Sequence, residues 1–312
     1  MAGGSKRVVI AALAANVGIA TAKFGAALYT GSAAMLAEAV HSLVDTGNQA
    51  LLLFGMQRAQ RPADARHPFG YSREIYFWSF IVALLLFSVG GMVAVYEGVS
   101  KIIAPHAIER PVVNYVVLGL ATALELTSFV VALREFRAVT SGKSWWQAVV
   151  DAKDPVLFTV LFEDSAALAG LVIALTGLAG AQLLHAPWLD GAASLLIGGV
   201  LIGSAVLLAR ETHALLIGEA ADPAVIDAVR TMITETTGID GVRDIHSTHL
   251  GPHDVVVTAA VDFDDALSAG EVEAIVATVT AEITAAYPDT KHLSLVPTSF
   301  EAKLRTASPP RG

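Results

Sequence analysis

The sequence predicts an α-helical membrane protein of six spans followed by a small cytoplasmic α+β domain, and three observations predict it. Of 312 residues, 54% are hydrophobic and only 16% charged, with a positive mean hydropathy; a soluble chain of this size is less apolar. Six apolar runs each approach or exceed the ~20 residues a helix needs to cross a bilayer. From about Glu219 the runs give way to short alternating and amphipathic segments.

The runs are Val8–Tyr29, Ala33–Met56, Ile75–Ile102, Val112–Leu133, Pro155–Leu178 and Ala192–Leu216. Lys6 and Arg7 lead straight into the first, which is expected to span rather than act as a cleaved signal. Asn16 interrupts it near its middle, and Lys23 lies close enough to its far end to snorkel. Thr30-Gly31-Ser32 makes a tight turn into the second run. Between runs two and three lie Arg58, Arg61, Arg66 and Arg73; between four and five lie Arg134, Arg137, Lys143 and Lys153. The turn after run one and the stretch Ala179–Asp190 carry neither Lys nor Arg. The positive-inside rule then puts both termini in the cytoplasm. Gly90-Gly91 in the third run, and Gly198-Gly199 with a Gly199-x-x-x-Gly203 spacing in the sixth, permit close helix approach.

The order after Glu219 is helix, strand, strand, helix, strand. Asp222-Pro223 starts a helix to about Thr237, with Asp222 as N-cap and proline at the first helical position. Alternating runs follow at Val242–Leu250 and Asp254–Phe263, then a helix from about Ser268 to Tyr287 and a strand from Lys291 to Pro297. This order predicts a small sheet covered by two helices. Between Asp222 and Phe300 there are 13 Asp or Glu against three Lys or Arg, so the basic footprint of a nucleic-acid binder is missing. The expected domains are 1–218, 219–300 and a disordered tail, 301–312. With no cysteine, disulfides and thiolate metal sites are excluded.

Chemistry concentrates in the second run. His41 and Asp45, four residues apart, stack on one helix face, and Glu38 and Asn48 extend it as a polar stripe. An ionisable group in a span costs several kcal/mol, and one that persists has a task. Imidazole and carboxylate at this spacing supply half of a tetrahedral site for a zinc-type cation. Asp164 in the fifth run is a third candidate ligand. The fourth is open: one turn before Asp164 stands Val160, and Glu163, Glu125 of the fourth run, Asn48 or a water remain. Glu163 lies about 100° round the helix from Asp164, so facing one site together requires a distorted helix.

These residues resemble a known family. The His41-x-x-x-Asp45 stripe, the loop with His67-Pro68-Phe69-Gly70-Tyr71, the six spans and the acidic C-terminal domain look like the cation diffusion facilitators, proton-coupled exporters of divalent metal that act as homodimers. Asp154-Pro155, Leu161-Phe162-Glu163-Asp164-Ser165-Ala166-Ala167 and Leu215-Leu216-Ile217-Gly218-Glu219 are similar to the branch that includes the mitochondrial zinc transporter of animals. The resemblance implies a ferredoxin-like dimerisation module at the C-terminus, His41, Asp45 and Asp164 at transport-site positions, and Zn2+ as transported substrate, with Mn2+, Fe2+ or Co2+ as alternatives. It departs at Val160, where many members carry His or Asp. In the loop, Asp64 and His67 match a secondary site whose other histidine is here Tyr71, so that site is expected to be weak or absent. Arg243, Ala259 and Leu295 replace the histidines of the C-terminal domain, leaving His246, His249, His253 and His292 as another conceivable set.

The expected function is proton-coupled export of a divalent cation, Zn2+ foremost, across a bacterial inner membrane or an organelle membrane. Metal must displace protons from His41 and its neighbouring acids, since ligands bind deprotonated. The acidic domain would concentrate cations at the inner mouth. The competing expectation is a membrane metal sensor without turnover. An intramembrane metallohydrolase comes last, since no paired-histidine helix appears.

Overall fold

A computed structural model of the protein describes residues 2–105, 108, 110–139 and 153–299. The predicted loop segment with Lys143 and the tail after Glu301 lie outside the described residues. The chain divides into two compact units, residues 1–60 with 74–213, and residues 61–73 with 214–312.

Among the described residues the first unit consists of six long helical rods: α1 (Ala2–Thr30), α2 (Ala33–Ala59), α3 (Glu74–Leu85) continued through a π-turn (Leu86–Gly91) into α4 (Met92–Ile103), α5 (Pro111–Val139), α6 (Pro155–Leu183) and α7 (Trp188–Ile217). Among the described residues four stretches are long and apolar enough to cross a membrane: Glu74–Ile103, Pro111–Val131, Phe158–Leu183 and Trp188–Ile217. α1 and α2 complete the bundle and bury Lys23, Glu38, His41 and Asn48. α1 and α2 form a hairpin over Gly31, whose φ of +66° is open to glycine at little cost. Ser32 caps α2 through Met35 N at 3.1 Å.

A buried cluster ties that hairpin turn to two other rods. Asp190, in the first turn of α7, accepts hydrogen bonds from Ser32 Oγ and Ala33 N, both at 2.6 Å. Its carboxylate thus satisfies orphan amides at the start of α2, where the helix dipole favours negative charge. Lys101 of α4 donates to Gly31 O at 2.6 Å and lies 3.8 Å from Asp190. The α4–α7 seam is built from glycines: a Cβ on Gly98 would collide with the Gly191 carbonyl, and one on Gly198 with Val95. The Gly199/Gly203 pair flagged by its spacing has open space instead. Close approach thus uses a different face of α7 from the one the spacing suggested.

The second unit runs α8 (Pro223–Thr234), β1 (Ile239–Gly251), β2 (Asp254–Phe263), α9 (Ala269–Ala286), β3 (His292–Pro297). Asp222 caps α8 ahead of Pro223, as its sequence implied, and Ser268 with Glu271 forms a capping box on α9. β2 is central, antiparallel to β1 and parallel to β3. Val255, Val257, Ala259 and Val261 alternate along β2 and bury one face against Val229 and Ile233 of α8 and Val279 and Ile283 of α9. Loop 61–73 belongs to this unit. Ser72 Oγ donates to Asp254 Oδ2 at 2.8 Å, and Phe69 meets the His292 ring edge-on at 5.1 Å.

Candidate metal site

A polar cavity of about 220 Å³ lies among α1, α2, α5 and α6. Asn16 and Ile19 line it from α1, Ser42, Asp45 and Gln49 from α2, Leu124, Glu125 and Ser128 from α5, and Val160, Glu163 and Asp164 from α6. Four carboxylates from three rods thus surround one small space.

Each is held differently. Asn48 Nδ2 donates to Glu163 Oε1 at 2.7 Å, which turns Glu163 toward α2. Asp164 Oδ2 accepts from Ser128 Oγ at 3.0 Å and leans toward α5. The two neighbours therefore point to opposite walls of the same cavity, and α6 runs unbroken from Pro155 to Leu183. The helix is not distorted, yet both line the cavity: 100° of separation suffices when the cavity is wide enough for both. His41 Nε2 lies 3.3 Å from Asp45 Oδ2. Both His41 ring nitrogens and Asp45 Oδ1 are buried without a hydrogen-bond partner. Groups of this kind are normally satisfied; the Asp45 oxygen and whichever His41 nitrogen lacks a proton offer lone pairs that suit a cation. His41 itself does not line the cavity but sits behind Asp45. Among the described residues no three His, Asp or Glu side chains converge closely enough to hold a metal as they stand.

Val160 lines the cavity in the position one turn before Asp164. Lys23, expected to snorkel, is instead fully buried: its Nζ donates to Glu38 Oε2 at 3.1 Å and Ser42 Oγ at 2.7 Å. Burying an ammonium is tolerable only with such partners. The hairpin register could have revealed this, since Lys23 and Glu38 lie eight and seven residues either side of Gly31. Asn16 likewise donates to Gln49 at 3.0 Å.

In loop 61–73, both Asp64 oxygens are engaged. Oδ1 accepts from Arg66 N and His67 N at 2.9 and 2.8 Å, and Oδ2 accepts from Tyr71 Oη at 2.6 Å. The Tyr71 hydroxyl, then the backbone amides, hold the carboxyl down at about 2. His67 Nδ1 is 3.5 Å from Asp64. The geometry is that of a stapled turn. In the sheet domain the histidines form separate pairs, His253 with Asp289 at 3.3 Å and His292 with Asp254 at 3.6 Å, while His249 Nδ1 faces Gly251 O at 3.2 Å.

Comparison with known proteins matches two family domains. Residues 9–217 match the cation efflux transmembrane domain, and residues 221–295 match the cation efflux protein cytoplasmic domain. The chain is 34% identical over 264 residues to the mitochondrial proton-coupled zinc antiporter SLC30A9 of Homo sapiens, covering 84% of this chain and 46% of that protein. It is 31% identical over 262 residues to metal tolerance protein C4 of Arabidopsis thaliana, covering 83% and 57%. It is 29% identical over 245 residues to the metal cation efflux system protein CzcD of Cupriavidus metallidurans, covering 78% and 72%. The chain thus spans about half the length of the first two of these relatives.

Proposed function

The chain belongs to the cation efflux family, and from that premise we propose that it is a homodimeric secondary transporter, not an enzyme, exchanging a divalent cation, Zn2+ foremost, for protons. The observation that carries the reading is the α1–α2–α5–α6 cavity, where Asp45, Glu125, Glu163 and Asp164 meet. Carboxylates crowded in a low-dielectric space cannot all stay ionised without a cation. Protons and metal are therefore alternative occupants of one site.

Asp45 and Asp164 are the carboxylate ligands, and His41 joins Asp45 through a small rotation that brings Nε2 to the metal. Glu163, held by Asn48, and Glu125 supply the fourth ligand or the exchanged proton. Metal enters on the side of loop 61–73, displaces protons, and leaves toward the Gly31 end when the bundle opens there. An inward proton gradient then drives export. The basic loops place both termini in the cytoplasm, and the acidic α+β domain, matched as a cytoplasmic domain of this family, pairs the two subunits. A bacterial inner membrane is the expected location.

Zinc uptake into sealed proteoliposomes with an imposed pH gradient tests the reading. Gradient-dependent uptake that Asp45→Ala and Asp164→Ala each abolish is the expected result. Zinc binding without uptake would turn the protein into a sensor, and undiminished uptake by either variant would remove that residue from the site.

A further inference from the structure

The cavity ends at Ser42, and what lies behind Ser42 is a cation. Along α2, Asp45 and Gln49 line the cavity toward the loop 61–73 end, whereas Glu38 lies one turn beyond Ser42 toward the Gly31 end. Lys23 Nζ bridges Ser42 Oγ and Glu38 Oε2 there, at 2.7 and 3.1 Å, with no part of Lys23 or Glu38 exposed. From α6, Gly170 packs directly on Glu38, where even a Cβ would collide with the Oε1 atom. The face of α2 between the cavity and the Gly31 end is thus filled by an ion pair.

An ammonium has no lone pair and cannot ligate metal, so the site chemistry leaves Lys23 unused. A tie between α1 and α2 does not need a charge either, because Asn16 and Gln49 join the same two helices as a neutral pair. The charged pair sits beyond Ser42, the cavity-lining residue of α2 nearest the Gly31 end. Its field extends to His41, Asp45 and Glu125 of α2 and α5.

On the transport reading above, we propose that Lys23 is the exit barrier of the cavity. Ser42 holds the ammonium at the cavity side of the ion pair, so the positive end of that dipole closes the path of a divalent cation toward the Gly31 end, where salt screens it little. Opening that end requires Lys23 to part from Ser42 and Glu38. The Glu38 carboxylate so released is the next resting point of the departing metal, and its free Oε1 already lacks a partner.

The absence of cysteine makes a direct test possible. Ile19→Cys places a single thiol on the cavity wall, outside the ligand set. A membrane-impermeant cationic thiol reagent is then applied to the vesicle face on the Gly31 side, with Lys23, with Lys23→Arg, and with Lys23→Gln/Glu38→Gln. The double variant keeps a hydrogen-bonded pair and removes both charges, so it folds where Lys23→Gln alone leaves Glu38 buried and unpaired. The expected result is modification about 10-fold faster in the double variant, matched by zinc leak down its own gradient without a pH gradient, and wild-type behaviour of Lys23→Arg. A structural tie predicts wild-type rates for the double variant, and that result would overturn the proposal, as would equal acceleration by Lys23→Arg. A wild type that moves no zinc refutes the transport reading by itself, while the thiol rates still decide whether Lys23 closes the cavity.

Discussion

Asn48 donates a 2.7 Å hydrogen bond to Glu163, and this joins the second rod to the fifth beside the Glu163–Asp164 pair, two of the four carboxylates that line the cavity. Asn48 is fully buried and Glu163 nearly so. The bond sets which wall of the cavity Glu163 occupies and leaves the opposite wall to Asp164. One α2–α6 contact therefore spaces the two neighbouring acids across the cavity.

Asn48→Leu should expose that role. Leaving Glu163 buried without its donor costs about 1–3 kcal/mol. The metal-free protein should melt several degrees lower in detergent, and half-saturating zinc for uptake should rise. Were Asn48 only a metal ligand through Oδ1, which has no partner, affinity would fall with no change in metal-free melting.

Zinc affinity should depend on pH at the loop 61–73 side. Ligands must shed protons to bind metal, so acidifying that side lowers affinity and alkalising it raises affinity, until the site is fully deprotonated. Each proton released contributes about a tenfold change per pH unit. Isothermal titration of zinc in buffers of different ionisation enthalpy counts the protons. Independence of affinity from pH would sever the coupling.

Some of this site was legible in the chain and some was not, for identifiable reasons. Carboxylates in apolar runs stand out because their burial is costly, and Asp45, Glu125, Glu163 and Asp164 do meet around one cavity. The His41–Asp45 stack followed from the helical repeat, but the repeat fixes only that they share a face. Which of them reaches the cavity depends on how α2 is rotated against α6, and His41 lies behind. Lys23 misled because its distance from the end of the run suggested snorkelling, whereas its partner is set by the register of a hairpin. The glycines divided: Gly91 and Gly198 pack closely as expected, but spacing cannot tell the packed Gly198 from the open Gly199. In the sheet domain the caps and alternations were local, so Asp222, Ser268 and β2 were readable directly.

Tyr71→Phe should affect the loop and not the cavity. The hydroxyl is the foremost cause of the low Asp64 pKa, about 2 against an ordinary 3.8. Because that pKa is depressed in the fold, the stapled turn is favoured above about pH 4 and loosens as pH falls toward 2. In the variant the titration of Asp64, followed by carboxyl NMR, should move up toward 3.8. Zinc uptake should stay close to wild type. A large loss of uptake would instead make the loop part of the metal path.

Val160→His tests the vacancy in the ligand set most directly. Val160 lines the cavity one turn from Asp164 on the same helix, so an imidazole there reaches the space the carboxylates surround. Histidine is a borderline-soft ligand that suits zinc more than manganese. A fourth protein ligand should therefore tighten zinc binding about 10-fold or more and widen the preference for zinc over manganese. Tighter binding has a second consequence: a cation held too strongly leaves slowly, so maximal uptake should fall while half-saturating zinc falls with it. Calorimetric binding measured alongside vesicle flux separates the two effects. Unchanged affinity and selectivity would mean that the metal rests elsewhere in the bundle, away from Asp164, and would shift the search for its ligands toward Glu38 and His41.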